Sequence, residues 1–164
     1  MKPNAQVIDC LQTALSMELT AVHQYQLHAI VADDWGLDRL AAKMREEMTE
    51  EMGHADAYAQ RIIFLKGDPE MALAKTPHRA KSLKDMFEVD LADEQEAIRF
   101  YTEAAETAGK AGDIGTRRIF EQTVIDEEGH MAWLETQLDL LERMGEAGFL
   151  ALQMSPQGGS TPAA

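Results

Sequence analysis

Glu51-Met52-Gly53-His54 and Glu127-Glu128-Gly129-His130 are the two stretches that decide the fold. In each, a carboxylate and an imidazole stand at i and i+3, so on a helix both project from one face toward one point. Glu18 lies 36 residues before His54, and Glu94 lies 36 before His130. A shift of 76 positions therefore carries Glu18 onto Glu94, Glu51 onto Glu127 and His54 onto His130. The same shift relates Tyr25 to Tyr101, Gly53 to Gly129, Leu15 to Leu91 and Leu65 to Leu141. A lone Glu-x-x-His is mostly a solvated pair; six such residues repeated in register are not. The pattern predicts two helical hairpins, each supplying Glu, Glu and His, facing each other about a pseudo-twofold axis. Four carboxylates and two imidazoles make a site for two divalent ions, with iron the best match.

The four helices follow outward from these stretches. The first is predicted from residue 4 to about 34, with Asn4 as N-cap and Leu11, Leu15, Glu18, Val22, Tyr25 and Ala29 at 3.6-residue spacing. A carboxylate in the middle of that apolar stripe is costly unless it is paired or bound to metal. Gly36 ends this helix in the left-handed conformation. The second runs from about Asp38 to Lys66 and stops at Gly67-Asp68-Pro69. Residues 67 to about 81, with Pro69 and Pro77, form a connection long enough to cross the length of a bundle. The third, about Ser82 to Ala108, opens with a capping box of Ser82 and Asp85. The fourth runs from about Asp113 to Met144, with Glu127 and His130 on its stripe. The expected fold is all-α: a four-helix bundle with a long crossover between the second and third helices and a short fifth C-terminal helix. That fifth segment, Phe149 to Met154, is apolar and is expected to be buried between subunits.

Composition bounds the function. The 164 residues make one domain, 1–154, with a disordered tail expected at 155–164. A net charge of −14 argues against nucleic acid and anionic membranes as partners and suits a protein that concentrates cations. The single Cys10 excludes a disulfide framework, a cysteine-based zinc site and an iron–sulfur cluster within one chain. No stretch approaches about 18 uninterrupted apolar residues, and the N-terminus carries no signal-like run, so a cytoplasmic protein is expected.

In the bundle all six donors point at the axis. Glu51 and Glu127 are placed to bridge two ions, leaving Glu18 and Glu94 as terminal carboxylates. Hard oxygen donors with one nitrogen per metal suit Fe(II) or Mn(II), and two irons about 3.5–4 Å apart share the electrons that O2 or H2O2 takes. Tyr25, two turns from Glu18, is expected within reach of the site for hydrogen bonding or electron supply. His23, His28 and His78 are expected at the surface or at an interface.

The order Glu, Glu-x-x-His, Glu, Glu-x-x-His is the known arrangement of ferritin-like carboxylate proteins and is recognised here as such. Met1-Lys2, Asp34-Trp35-Gly36-Leu37, Glu51-Met52-Gly53-His54-Ala55-Asp56, Arg61-Ile62-Ile63-Phe64-Leu65, Asp126-Glu127-Glu128-Gly129-His130 and Trp133-Leu134-Glu135-Thr136-Gln137-Leu138 also resemble bacterioferritin. The resemblance covers residues 1 to 154 and is looser over 67–90. It implies a hollow homo-oligomeric shell of 24 subunits that oxidises Fe(II) at the diiron site and stores ferric mineral. It also implies one haem b per subunit pair, ligated by the methionine that matches Met52, and a ferredoxin as reductant for iron release. Taken alone, Met52 continues an interface stripe with Met44 and Met48. Gln26 stands where the resemblance leads one to expect a haem-pocket aromatic. Some members bear a His and an Asp as an inner-surface iron site; the matching residues here are Glu46 and Glu50, which an acidic helical run also explains. Two other functions compete with this one, and the first shares its ligand pattern. A rubrerythrin-type peroxidase usually carries a cysteine-rich iron domain, which one cysteine cannot build. A haem-binding subunit of a mixed shell has no need of all six donors.

Overall fold

In the computed structural model, which describes residues 4–156, Asn4 Oδ1 accepts the Gln6 N–H at 2.9 Å and starts α1, Ala5–Asp34. Gly36, at φ 78°, turns the chain into α2, Asp38–Phe64; a side chain there would be strained in that left-handed conformation. The Ser82 hydroxyl accepts the Asp85 N–H at 3.1 Å and starts α3, Leu83–Lys110. Asp85 reaches back to the Lys81 N–H, one residue before the N-cap that a capping box would use. Asp113 caps α4, Ile114–Leu152. The predicted helices, their order and the four-helix architecture agree with the structure; part of the expected tail, from residue 157, lies outside the described residues.

α1 pairs with α2 and α3 with α4, as short connections dictate. The crossover between the hairpins lies along α1 in register. Gln12 Oε1 accepts the Glu70 N–H at 2.8 Å, Thr20 Oγ1 accepts that of Ala74 at 2.9 Å, and Gln24 Oε1 accepts that of His78 at 2.7 Å. From Gln12 to Gln24 is about 18 Å of helix at 1.5 Å per residue, so the connection does run up the bundle. A second tie joins the hairpins. Arg61 on α2 donates to Thr116 Oγ1 at 2.8 Å and to Asp113 Oδ1 at 2.5 Å. Gly115 makes room for it: a Cβ there would lie 2.7 Å from the guanidinium.

The apolar core is in two parts. One holds Leu11, Leu15, Tyr58, Ile62, Tyr101 and Phe120; the other holds Leu40, Met44, Met86, Phe87, Leu134 and Phe149. Between them the stripes are interrupted by Glu18, Glu51, Glu94 and Glu127, none more than 5% exposed. The packing energy of the two apolar layers holds this acidic layer together.

The C-terminal segment departs from expectation in its packing. The backbone leaves the helical region at Gly145 (φ 71°, ψ 163°), and a short helical stretch follows the break and runs to Leu152. Phe149 needs no neighbour: it is fully buried in its own chain, edge-on to Phe87 with centroids 5.8 Å apart. The break at Gly145 re-aims the chain and gives Phe149 a slot in the bundle; Leu152 and Met154 stay about half exposed. Phe149→Ala is expected to destabilise the chain by about 3–5 kcal/mol, read from chemical denaturation. A cost near zero would mean the segment packs elsewhere.

Candidate metal centre

Four helices each bring a carboxylate to the acidic layer, and two bring a histidine one turn further on. His54 Nδ1 lies 3.0 Å from Glu51 Oε2, 3.4 Å from Glu127 Oε1 and 3.8 Å from Glu18 Oε2. His130 Nδ1 lies 2.9 Å from Glu127 Oε2, 3.1 Å from Glu51 Oε1 and 3.7 Å from Glu94 Oε1. Glu51 and Glu127 thus divide their two oxygens between the two imidazoles, while Glu18 serves only the His54 side and Glu94 only the His130 side. The donors fall into two sets sharing those carboxylates: Glu18, Glu51, His54, Glu127 and Glu51, Glu94, Glu127, His130. Within each set the ligand atoms lie within 4.8 Å of one another.

The chemistry of these donors fits divalent cations. Glu51 Oε1, Glu127 Oε2 and His130 Nδ1 are shielded from solvent and make no aligned hydrogen bond, although about 3 Å apart. They aim at shared space, not at each other. Without metal, protons hold the charge. Burial would drive both imidazoles toward neutrality, but the three carboxylates close to His54, and the four close to His130, raise both well above the ordinary histidine value. Burial lifts Glu94 to about 8, against the opposing pull of His130 beside it. Glu127 resists its burial because both histidines lie against it, and falls to about 2.

A proton-dependent metal affinity follows. Cations require deprotonated donors, so adding Zn(II) at pH 7 is expected to release at least one proton each from His54, His130 and Glu94. An indicator dye in weak buffer reads this directly, and affinity should rise with pH through about 8, the Glu94 value. Binding without proton release would contradict the assignment. The raised Glu94 value has the opposite sign for the metal-free fold, whose stability declines as pH climbs from the ordinary carboxylate range through about 8.

Comparison with known proteins agrees with this geometry. The Ferritin-like domain model matches residues 8–144. A bacterioferritin of Rhodobacter capsulatus is 44% identical over 156 residues, 95% of this chain and 97% of that one. One from Brucella melitensis is 43% identical with the same coverage. The chain belongs to the bacterioferritin family. The solved Rhodobacter bacterioferritin, described with a metal-free dinuclear site and its haem iron on a crystallographic special position, superposes with a TM-score of 0.92 at 43% identity, covering all of both chains. The Mycobacterium tuberculosis bacterioferritin follows at 0.91 and 34%, covering 94% of this chain and 98% of that one.

In this bacterioferritin-family chain several side chains stand where sequence reasoning did not put them. Tyr25, expected within hydrogen-bonding reach of the site, donates across the bundle to Glu94 Oε1 at 2.5 Å and not to Glu18, to which Tyr101 donates at 2.5 Å. A phenol is long enough to span the layer, so each tyrosine serves the other hairpin. His28 is fully buried and not at the surface. Gln24 Oε1 takes the His78 N–H, so the Gln24 amide nitrogen faces His28 Nε2 at 2.8 Å, and His28 Nδ1 donates to Asp90 at 3.0 Å.

Beside the six donors stand three further carboxylates, of which the sequence reading singles out Glu50 alone. Glu47, 3% exposed, reaches His130 Nε2 at 2.9 Å and is also paired with Lys43. Glu50 lies 3.4 Å from the same nitrogen, and Asp126 lies 3.2 Å from His54 Nε2. The 76-residue shift carries Glu50 onto Asp126, a signal that was there to be used. Of the expected inner-surface pair, Glu50 joins two donor groups, with Glu47 and His130 and with His54 and Asp126, whereas Glu46 joins none among the described residues. Met52 is 44% exposed although Glu51 beside it is 1% exposed, since one residue turns the helix about 100°.

Proposed function

We propose that this chain is the ferroxidase subunit of an iron-storage shell: Fe(II) is the substrate, O2 or H2O2 the oxidant, and ferric mineral the stored product. The observation that carries the reading is the sharing of Glu51 and Glu127 between two complete donor sets. A pair of iron ions bound there supplies the electrons the oxidant takes. The protein's own part is to hold and release charge. Glu51 and Glu127 fix the spacing of the pair, and His54 and His130 give up protons as cations arrive. Tyr25 and Tyr101 hold the terminal carboxylates Glu94 and Glu18 in place. Glu47 and Asp126 lie at the outer ring nitrogens, leaving each Nδ1 for the metal.

The same reading extends to a cytoplasmic homo-oligomer of 24 subunits with one haem b per subunit pair. The half-exposed Met52 thioether would hold the haem iron together with its copy across a twofold axis, and the group would carry electrons inward to the mineral from a ferredoxin-like donor. Among the described residues no helix is long and apolar enough to cross a membrane, which is consistent with such a shell. Size-exclusion mass with a visible spectrum, before and after Fe(II) addition in air, tests the whole. A large assembly that takes up many irons per chain and develops broad ferric absorption is expected; a small species that oxidises no Fe(II) would overturn it.

A further inference from the structure

A cavity of about 180 Å³ opens between α1, α3 and the crossover, and its floor is the metal centre: Glu18, Glu51, Glu94 and Glu127 all line it. Its rim is charged. Lys75 of the crossover pairs with Asp93 of α3, and both side chains reach solvent, at 52% and 30% exposure. Among the described residues that line the cavity, Lys75 is the one cation, against seven carboxylates. The backbone around it is held firmly. The Ala74 N–H bonds Thr20 Oγ1 and Ser16 O at 2.9 and 3.2 Å, and Gln24 clasps both backbone groups of His78. These bonds hold the backbone on either side of Lys75, whose side chain reaches past them to Asp93.

We propose that the Lys75–Asp93 pair is a latch on the way that divalent cations take through this cavity to the dinuclear centre. A partly exposed ion pair of this kind is weak, which suits a contact that must open at every passage. The ammonium is a compact single charge on a flexible stem. A hydrated divalent cation outcompetes it at Asp93 because it brings twice the charge to the same carboxylate. From Asp93 the ion has Asp90 and Glu94 ahead of it, all three within about one turn of α3. With Lys75 swung out, the remaining lining carries only negative charge and draws the cation in.

This rests on the six donors being a dinuclear metal site, and one experiment separates the two claims. Iron-free, assembled, full-length protein is mixed with Co(II) in a stopped-flow instrument, and the d–d absorption of the bound ion gives both rate and endpoint. Lys75→Gln removes the tethered competitor and should speed arrival by roughly threefold or more at low salt, one charge's share of a steering field. Asp93→Asn leaves the ammonium in the mouth without its partner and should slow arrival by a similar factor. Both effects should shrink in high salt, and neither variant should change the endpoint. If both variants shift the rate in the same direction, the pair is only a structural strap and the latch is refuted. Unmoved rates with a full endpoint mean that cations enter elsewhere, which also refutes it. A wild-type endpoint short of two Co(II) per chain overturns the dinuclear reading, and the latch with it.

Discussion

Glu127→Ala is expected to abolish the rapid phase of Fe(II) oxidation while leaving the helices folded. Glu127 gives one oxygen to each half of the centre, 3.4 Å from His54 and 2.9 Å from His130. Loss of a residue that merely orients a ligand costs roughly 10–100-fold in metal affinity, so loss of a bridging carboxylate should exceed the upper end for the second ion. Stopped-flow absorbance after Fe(II) addition reads the oxidation, and Co(II) titration reads the affinity. Glu94→Ala should weaken chiefly the His130 side, because Glu94 reaches only that imidazole, at 3.7 Å. Wild-type oxidation in Glu127→Ala would sink the assignment of the centre. Circular dichroism of the metal-free variant is expected to match the parent, since the two apolar layers on either side of the acids are untouched.

The second large effect concerns the outer face of α2. Met52→Leu is expected to remove the haem spectrum almost completely from protein reconstituted with haem, while two Co(II) still bind per chain. Leucine nearly matches methionine in volume, so the fold should lose less than about 1.5 kcal/mol; what disappears is the thioether. The separation of effects follows from helical geometry, which buries Glu51 and leaves Met52 44% exposed. An unaltered low-spin spectrum in the variant would reduce Met52 to a packing residue. The exposed Gln26, hydrogen-bonded to His23 at 3.1 Å, would then be the place to look for what differs in this surface.

The fold and the six central donors were legible in the sequence because they are products of local geometry repeated. Glu-x-x-His fixes two side chains on one helical face, a 76-residue repeat doubles the unit, and Asn4, Gly36, Ser82 and Asp113 mark boundaries that the backbone respects to within a residue. Such signals depend only on residues a few positions apart. What surrounds the donors depends on distances between helices, which no spacing within one helix encodes. Tyr25 and Glu94 are 69 positions apart, and Tyr101 and Glu18 are 83 apart, yet each pair shares a hydrogen bond across the bundle. His28 reads as a surface residue from its own helix; only α3, bringing Asp90, and the crossover, held by Gln24, bury it. Phe149 looked like a segment in need of a neighbour until the break at Gly145 folded it against Phe87. Lys75 and Asp93 lie on elements whose meeting was set by the path of the crossover along α1. The sequence by itself determined the helices, their pairing and the donor set, because helical periodicity is a property of the chain. Only the tertiary structure decided the partners of those donors and the way in to them, because both belong to the gaps between helices.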